Sequence, residues 1–429
     1  MTNMRSEKGI ILISVYMVLL VLSIFAATLL NRSIYQNRAV FVFKRHTQAF
    51  NLAEAGLDRT INWLRAQGSP PIGNYNNPWG GVQNLGTGTY SVAVTDLGSP
   101  GGAAQIRRYK ITSTGTVETV NQVLTNYVQT DNYARYIWFT DRETYNGTSV
   151  WFWNQDNLNG PTHTNGHLNI AGNPTFAGIV QSTDDYIRFF NNGNNINLSQ
   201  LSNLPYDNPD FQQGMVFGAS QSNMPSQALN LRAASSSGGI RLQGNTVVVL
   251  NSDGTMNVTN SKKKWSNRNM ALPANGALFV DTGTLTISGT LNGRLTAGAS
   301  RDVIVPDLLV YANDPRTDPS STDTMGLISE EDVVIRDYAP SNMEIDASIM
   351  ALNTSFMMEN WWIGPPKGTL TVLGGIIQDE RGPVGTFNGF NGQKVSGYSK
   401  SYSYDSRLLS NPPPFFPTTG DYITLSWED

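Results

Sequence analysis

The sequence contains no cysteine, which excludes disulfides, thiolate metal sites and cysteine nucleophiles by inspection. Charge is scarce as well: Asp, Glu, Lys and Arg make up 14% of 429 residues, and the formal net charge is -4. So small and balanced a charge leaves no electrostatic footprint for nucleic acid. Histidine is limited to His46, His163 and His167. With His46 on a helical stretch, a Ser-His-Asp arrangement has only His163 or His167 as its base, and neither stands beside a G-x-S-x-G frame. The longest gap is in charge along the chain, because no residue from Ile10 to Leu30 is ionisable as an acid or base at neutral pH.

Glycine and aromatic residues are plentiful, with 40 Gly, 17 Tyr and 9 Trp. Beyond residue 70, Asn, Ser and Thr crowd the spaces between short apolar stretches, the composition of turn-dense β structure. At this length one hydrophobic core is not enough, so two or three structural units are expected.

A helix rising 1.5 Å per residue over Ile10–Leu30 matches a hydrocarbon core of about 30 Å. Arg5 and Lys8 precede the run and place its N-terminal side in the cytoplasm, although Arg32, Arg38, Lys44 and Arg45 follow it. The run exceeds the apolar region of a secretory signal peptide and lacks a small-residue cleavage site after it. The helix is therefore expected to stay and to anchor the chain in the inner membrane by a single pass, with the rest outside the cytoplasm. Its pattern continues through Phe50, Ala53, Leu57, Ile61 and Leu64, with Asp58, Arg59, Asn62 and Arg65 on the other face. Gly68-Ser69-Pro70-Pro71 ends it. The spacing predicts a helix over residues 10–67.

Two local patterns carry a resemblance. Ser6-Glu7-Lys8-Gly9 runs straight into Ile10-Ile11-Leu12-Ile13, and Gln48-Ala49-Phe50-Asn51-Leu52-Ala53-Glu54-Ala55-Gly56-Leu57 follows the apolar run. Together they resemble the PilX-type minor pilin N-terminal domain of type IV pilin-like proteins, over about residues 5 to 66. The resemblance implies a prepilin-type leader over residues 1–9, cut between Gly9 and Ile10 by a prepilin peptidase. It also implies Ser14 and Glu54 as assembly positions and other pilin-like subunits as partners. Ser14, fifth after the cleavage point, stands where major pilins carry a glutamate. A carboxylate inside a bilayer is costly without a partner, so its absence suits a subunit that does not need that pairing, such as one at a filament tip.

Residues 72–130 alternate with period two at Tyr90–Val94, at Tyr109–Thr112 and from Val117 to Val128, predicting three or four strands of a small pilin-like α+β unit. From 131 to 429 a frame G-x-[LI]-x-[IVL]-x-G recurs at Gly166–Gly172, Gly238–Gly244, Gly283–Gly289 and Gly368–Gly374. Each copy places two apolar residues on one face of a short strand and closes it with glycine, as stacked rungs require. The expected fold is thus mainly β with one long N-terminal α-helix. The large C-terminal part is expected to be an irregular right-handed β-helix, with a β-sandwich as the alternative. This part also resembles an uncharacterised bacterial domain found behind PilX-type N-termini, at Gly160–Gly166, Gly293–Val305, Tyr402–Leu408 and Pro412–Pro414; that family implies no activity.

Candidate chemistry is thin. His163 and His167 sit among Gly160, Pro161, Asn165 and Gly166, where a helix is implausible and the two rings point different ways, so no metal site is expected. Asp184-Asp185 and Glu330-Glu331-Asp332 read as solvated turn charges, because sequence neighbours alternate faces on a strand, although a β-helix enzyme acting on polysaccharide would use such carboxylates. Asn251-Ser252-Asp253-Gly254 reads as a hairpin turn. Trp151 and Trp153 share one face with Phe152 opposite, and with Trp361 and Trp362 they are the candidate ligand-stacking aromatics. The expectation is a minor pilin or pseudopilin-like subunit, without enzymatic activity or cofactor, displaying a β domain for adhesion to a surface glycan or protein. The alternative is a membrane-anchored carbohydrate-binding or carbohydrate-active protein.

Overall fold

A computed structural model describes residues 5–100, 105–154, 156–191, 194, 196–199, 207–389 and 393–428, without the side chains of 5–10 and 198. It contains one long helix, Arg5–Arg65, and is otherwise mainly β. The chain divides into two compact units. The first comprises residues 1–97, 109–128 and 424–429, and the second comprises 98–108 and 129–423. The expected division at 130 leaves the last strand with the large domain; here its end, residues 424–429, belongs to the first unit.

In the first unit the helix has two different halves. Residues 11–44 are exposed on every side, including Ile11, Leu19, Phe25 and Phe43. From Ile11 to Leu30 it is apolar all round, and such a helix is stable only where something other than water surrounds it. Over 55 residues, Ile11–Arg65, it is long and apolar enough to cross a membrane. The second half is amphipathic: Ala49, Leu52, Ala53, Leu57, Thr60 and Leu64 are buried at three- and four-residue steps. They face a sheet ordered Tyr75–Asn76, Gly88–Gly98, Arg108–Val117, Val120–Asn132, Thr418–Glu428, with Gln83–Leu85 paired to Gly88–Gly98. Burial alternates residue by residue along Arg108–Val117, as period two requires.

Contact between helix and sheet is close because small residues meet there. A Cβ on Gly115 would lie 2.0 Å from the Ala49 carbonyl oxygen and 2.6 Å from the Ala53 nitrogen, and one on Gly56 would lie 2.2 Å from Ser113 Oγ. The Ala-Glu-Ala-Gly-Leu stretch is therefore not only helix-forming composition. Its Ala and Gly are the hollow into which the strand backbone fits. Gly115→Ala should destabilise this unit by about 1–3 kcal/mol through overpacking, read as a lowered thermal midpoint of the full chain in detergent.

The second unit is built mostly from parallel ladders. One ladder runs Ile240–Gln243, Ala277–Asp281, Arg294–Ala299, Thr324–Ser329, Met343–Ala351, Pro366–Glu380, Trp138–Arg142, Thr162–Thr164, Val180–Ser182, Met215–Val216. A second runs Thr246–Leu250, Leu285–Leu291, Val303–Val305, Val333–Ile335, Phe356–Met358. In a third, Leu285–Leu291 also pairs with Leu309–Tyr311, which leads through Met343–Ala351 and Pro366–Glu380 to Lys394–Ser403, Asn157–Asn159, Thr175–Phe176 and Asp210–Phe211. The order is not that of the chain, because Pro366–Glu380 pairs with Trp138–Arg142 across more than two hundred positions. Antiparallel pairs are local, as in the hairpin joining Thr246–Leu250 to Thr255–Asn260 through Asn251–Gly254.

One continuous core lies between the ladders, including Leu242, Val280, Ile287, Val305, Leu327, Ile349 and Ile376. The recurring frame supplies its inward residues: Leu285 and Ile287 are fully buried, as are Leu370 and Val372 nearly so. Its closing glycine is needed where strands touch. Gly289 has φ +107°, and a Cβ there would lie 2.3 Å from the Leu250 carbonyl oxygen on the neighbouring strand.

Candidate functional site

The second unit carries a cleft of about 450 Å³. One wall is a hairpin in which Thr144 pairs with Ser149 and Tyr145 with Thr148. Its two-residue loop, Asn146-Gly147, has positive φ at both positions, 48° and 75°, the type I′ geometry that matches strand twist and that Asn-Gly favours. Asn146 N–H also donates to Glu380 Oε2 at 3.2 Å. The opposite wall is Gly385–Phe387, antiparallel to Lys394–Ser403. Tyr145, Trp151, Trp361 and Phe387 all line the cleft and are half-buried.

Each ring is braced by another. Trp361 meets Tyr145 edge-on at 6.1 Å, Trp151 meets Phe190 edge-on at 5.1 Å, and Phe387 stacks on Trp153 at 3.9 Å. Rings packed in this way cannot swing freely, so the cleft surface is preorganised.

A buried ionic network holds the Trp151–Trp153 segment. Arg381, 1% exposed, donates from Nη1 to Glu143 Oε2 at 2.8 Å and from Nη2 to the Trp151 carbonyl at 3.1 Å. Its guanidinium lies 3.6 Å from the centre of the Phe152 ring and 5.0 Å from that of Trp138. Glu143 also accepts from Trp138 Nε1 at 3.3 Å and from the Thr140 hydroxyl. Asp156 accepts from the Trp153 N–H at 3.0 Å and from Lys400 Nζ at 2.8 Å. Burial lowers the pKa of Lys400, and Asp156 opposes that shift. The four charges neutralise each other in pairs, which is what their removal from water demands.

The predicted aromatics are only partly brought together. Trp151 and Trp361 line this cleft, while Trp153 lines a neighbouring recess of about 60 Å³ with Phe387 and Asp156. Phe152 points into the core at 1% exposure, opposite its two neighbours. Trp362 packs edge-on against Trp361 at 5.4 Å and is 60% exposed, outside the lining. Tyr145, Phe387 and Lys400 were not among the predicted site residues. Asn146-Gly147 was a signal for the Tyr145 wall; Phe387 and Lys400 carry no such mark.

The other candidates lie elsewhere. Ser14 and Glu54 are both exposed on the long helix, and Gly9 and Ile10 lie within its first turns, their side chains outside the described residues. His163 is buried, stacked 5.0 Å from Phe139, with Nε2 3.0 Å from Asn165 Oδ1; burial holds its pKa below the usual histidine value. His167 instead meets Asp184 at 2.9 Å. Glu330 is paired with Arg232 at 2.8 Å. Among the described residues, no group of three or more His, Asp or Glu is placed to hold a metal ion.

Residues 90–184 match the family model of a domain of unknown function (DUF4900). Of the stretches that resemble an uncharacterised bacterial domain, this range includes Gly160–Gly166 and leaves the others outside it. No curated protein matches the chain. A solved structure, the competence-associated pilin ComZ from Thermus thermophilus, is similar at 12% identity with a TM-score of 0.39, over 90% of this chain and 97% of that one. Similarity of that degree carries nothing about this chain's partners.

Proposed function

We propose that the chain is a minor pilin or pseudopilin-like subunit without enzymatic activity. It waits in the inner membrane on its N-terminal helix and then enters a type IV pilus or type II secretion-like filament, at the tip, displaying its second unit for adhesion. The observation that carries this reading is the division of one helix into a bare half, residues 11–44, uncharged and apolar as far as Leu30, and a half packed under a sheet. The bare half needs lipid before assembly and neighbouring helices after it. Ser14 lies on that bare half, where a carboxylate would require a partner.

The second unit is, in this reading, an irregular right-handed β-helix. Its parallel ladders support that fold over a sandwich, whose strands pair antiparallel, and parallel crossovers are overwhelmingly right-handed.

Leader processing tests the proposal. Co-expressed with a prepilin peptidase, the wild-type chain should migrate as a shorter product, and Gly9→Leu should abolish that shift. An unchanged mobility for the wild type would leave only a simple membrane anchor.

A further inference from the structure

We infer that the aromatic cleft of the second unit binds an uncharged glycan, with sugar rings stacked on Trp151 and Trp361 and their hydroxyls met by the Asn146-Gly147 hairpin. This deepens the reading of the second unit as the displayed part and names its ligand class.

Three features argue for that ligand. The first is ring presentation. Four half-buried aromatics line one cleft of about 450 Å³, within the range of about 300–1,000 Å³ typical of small-ligand sites. Each is held in place by a second ring rather than by the ligand. A pyranose offers a flat patch of C–H groups, the apolar surface that an aromatic face covers best.

The second is charge. Among the described residues lining the cleft only Lys400 is charged, and its ammonium is held 2.8 Å from Asp156. Arg381 and Glu143, beneath, are likewise paired at 2.8 Å. A phosphate, sulfated glycan or acidic peptide would lose hydration here without meeting a free cation. A neutral ligand suffers no such loss.

The third is the polar complement. Asn146 and Thr148 bring a carboxamide and a hydroxyl to the same cleft, donors and acceptors of the kind that sugar hydroxyls require. A purely apolar occupant would leave these groups desolvated and unmet.

Titration calorimetry on the full chain in detergent micelles tests this with four neutral probes, cellohexaose, mannohexaose, maltohexaose and hexa-N-acetylchitohexaose, and with hexagalacturonate as the charged one. At least one neutral probe should bind, its affinity unchanged between low and high salt, because no ion pair forms. Trp361→Ala should weaken it by about tenfold or more, equivalent to about 1.4 kcal/mol, whereas Trp427→Ala, in the first unit, should leave it unchanged. Asn146→Asp keeps the turn and places a charge in the cleft, and should also weaken binding; it serves if Trp361→Ala lowers the thermal midpoint. Binding of hexagalacturonate alone, of no neutral probe, or of one indifferent to both cleft variants overturns the inference. Micelles contain no filament and the assay needs no leader cleavage, so failure here is distinct from failure of the pilin reading.

Discussion

Arg381→Ala is expected to destabilise the second unit by about 3–5 kcal/mol, the cost of leaving a buried charge without its partner. The guanidinium joins Pro366–Glu380 and its neighbours to the Trp151 segment, with Glu143 at 2.8 Å and the Val150 and Trp151 carbonyls at 3.3 and 3.1 Å. Alanine removes those donors and also opens a cavity beside Phe152 and Trp138. Glu143, 3% exposed, cannot recover its hydration. The double variant Arg381→Met with Glu143→Gln should regain much of the loss, because neither group then carries charge. Thermal unfolding of the three proteins checks this, and a double variant no better than Arg381→Ala would mean that the lost hydrogen bonds to the Val150 and Trp151 carbonyls, not the stranded charge, set the cost.

Asp346→Asn is expected to stabilise the second unit at pH 8 and to do nothing near pH 4. Asp346 is 2% exposed, accepts one hydrogen bond from the Tyr311 N–H at 3.0 Å, and has no partner for Oδ1. Burial, with a smaller push from Glu344, raises its pKa from 3.8 to about 7. Between those values the folded chain keeps a proton that the unfolded chain has lost. Stability from this group is therefore greatest below the unfolded pKa and declines as pH rises to the folded one. A shift of about 3 units corresponds to about 4 kcal/mol, lost in full by pH 8. Asparagine does not titrate and escapes the loss. Melting curves of both chains from pH 4 to 8 should converge at the acid end and separate at the alkaline end; parallel curves would place the ionised carboxylate in a solvated site.

The candidate site was half legible. Trp151 and Trp153 stood on one face with Phe152 opposite because strand alternation is a local property of the backbone, and the structure separates them in that way. That Trp361 would join Trp151 was not readable, since the two come from segments far apart in the chain. Phe387 and Lys400 were missed for the same reason. Arg381 had no local mark at all: its role exists only because Glu143 and the Trp151 carbonyl converge on it.

The sequence alone determined what depends on neighbouring residues. It set a long helix with an uncharged apolar run at Ile10–Leu30, a period-two sheet after it, short glycine-closed strands beyond, and the exclusion of cysteine chemistry. These follow from periodicity, charge and turn preference, each acting over a few residues. Only the tertiary structure decided what depends on distant residues. It joined the strand at Trp138–Arg142 to that at Pro366–Glu380 out of chain order and returned the last strand to the first sheet. It also set Gly115 against Ala49 and Ala53. The physical reason is the same in each case, because backbone ladders and buried cores are completed by whichever segment fits, and fit is not written in local pattern.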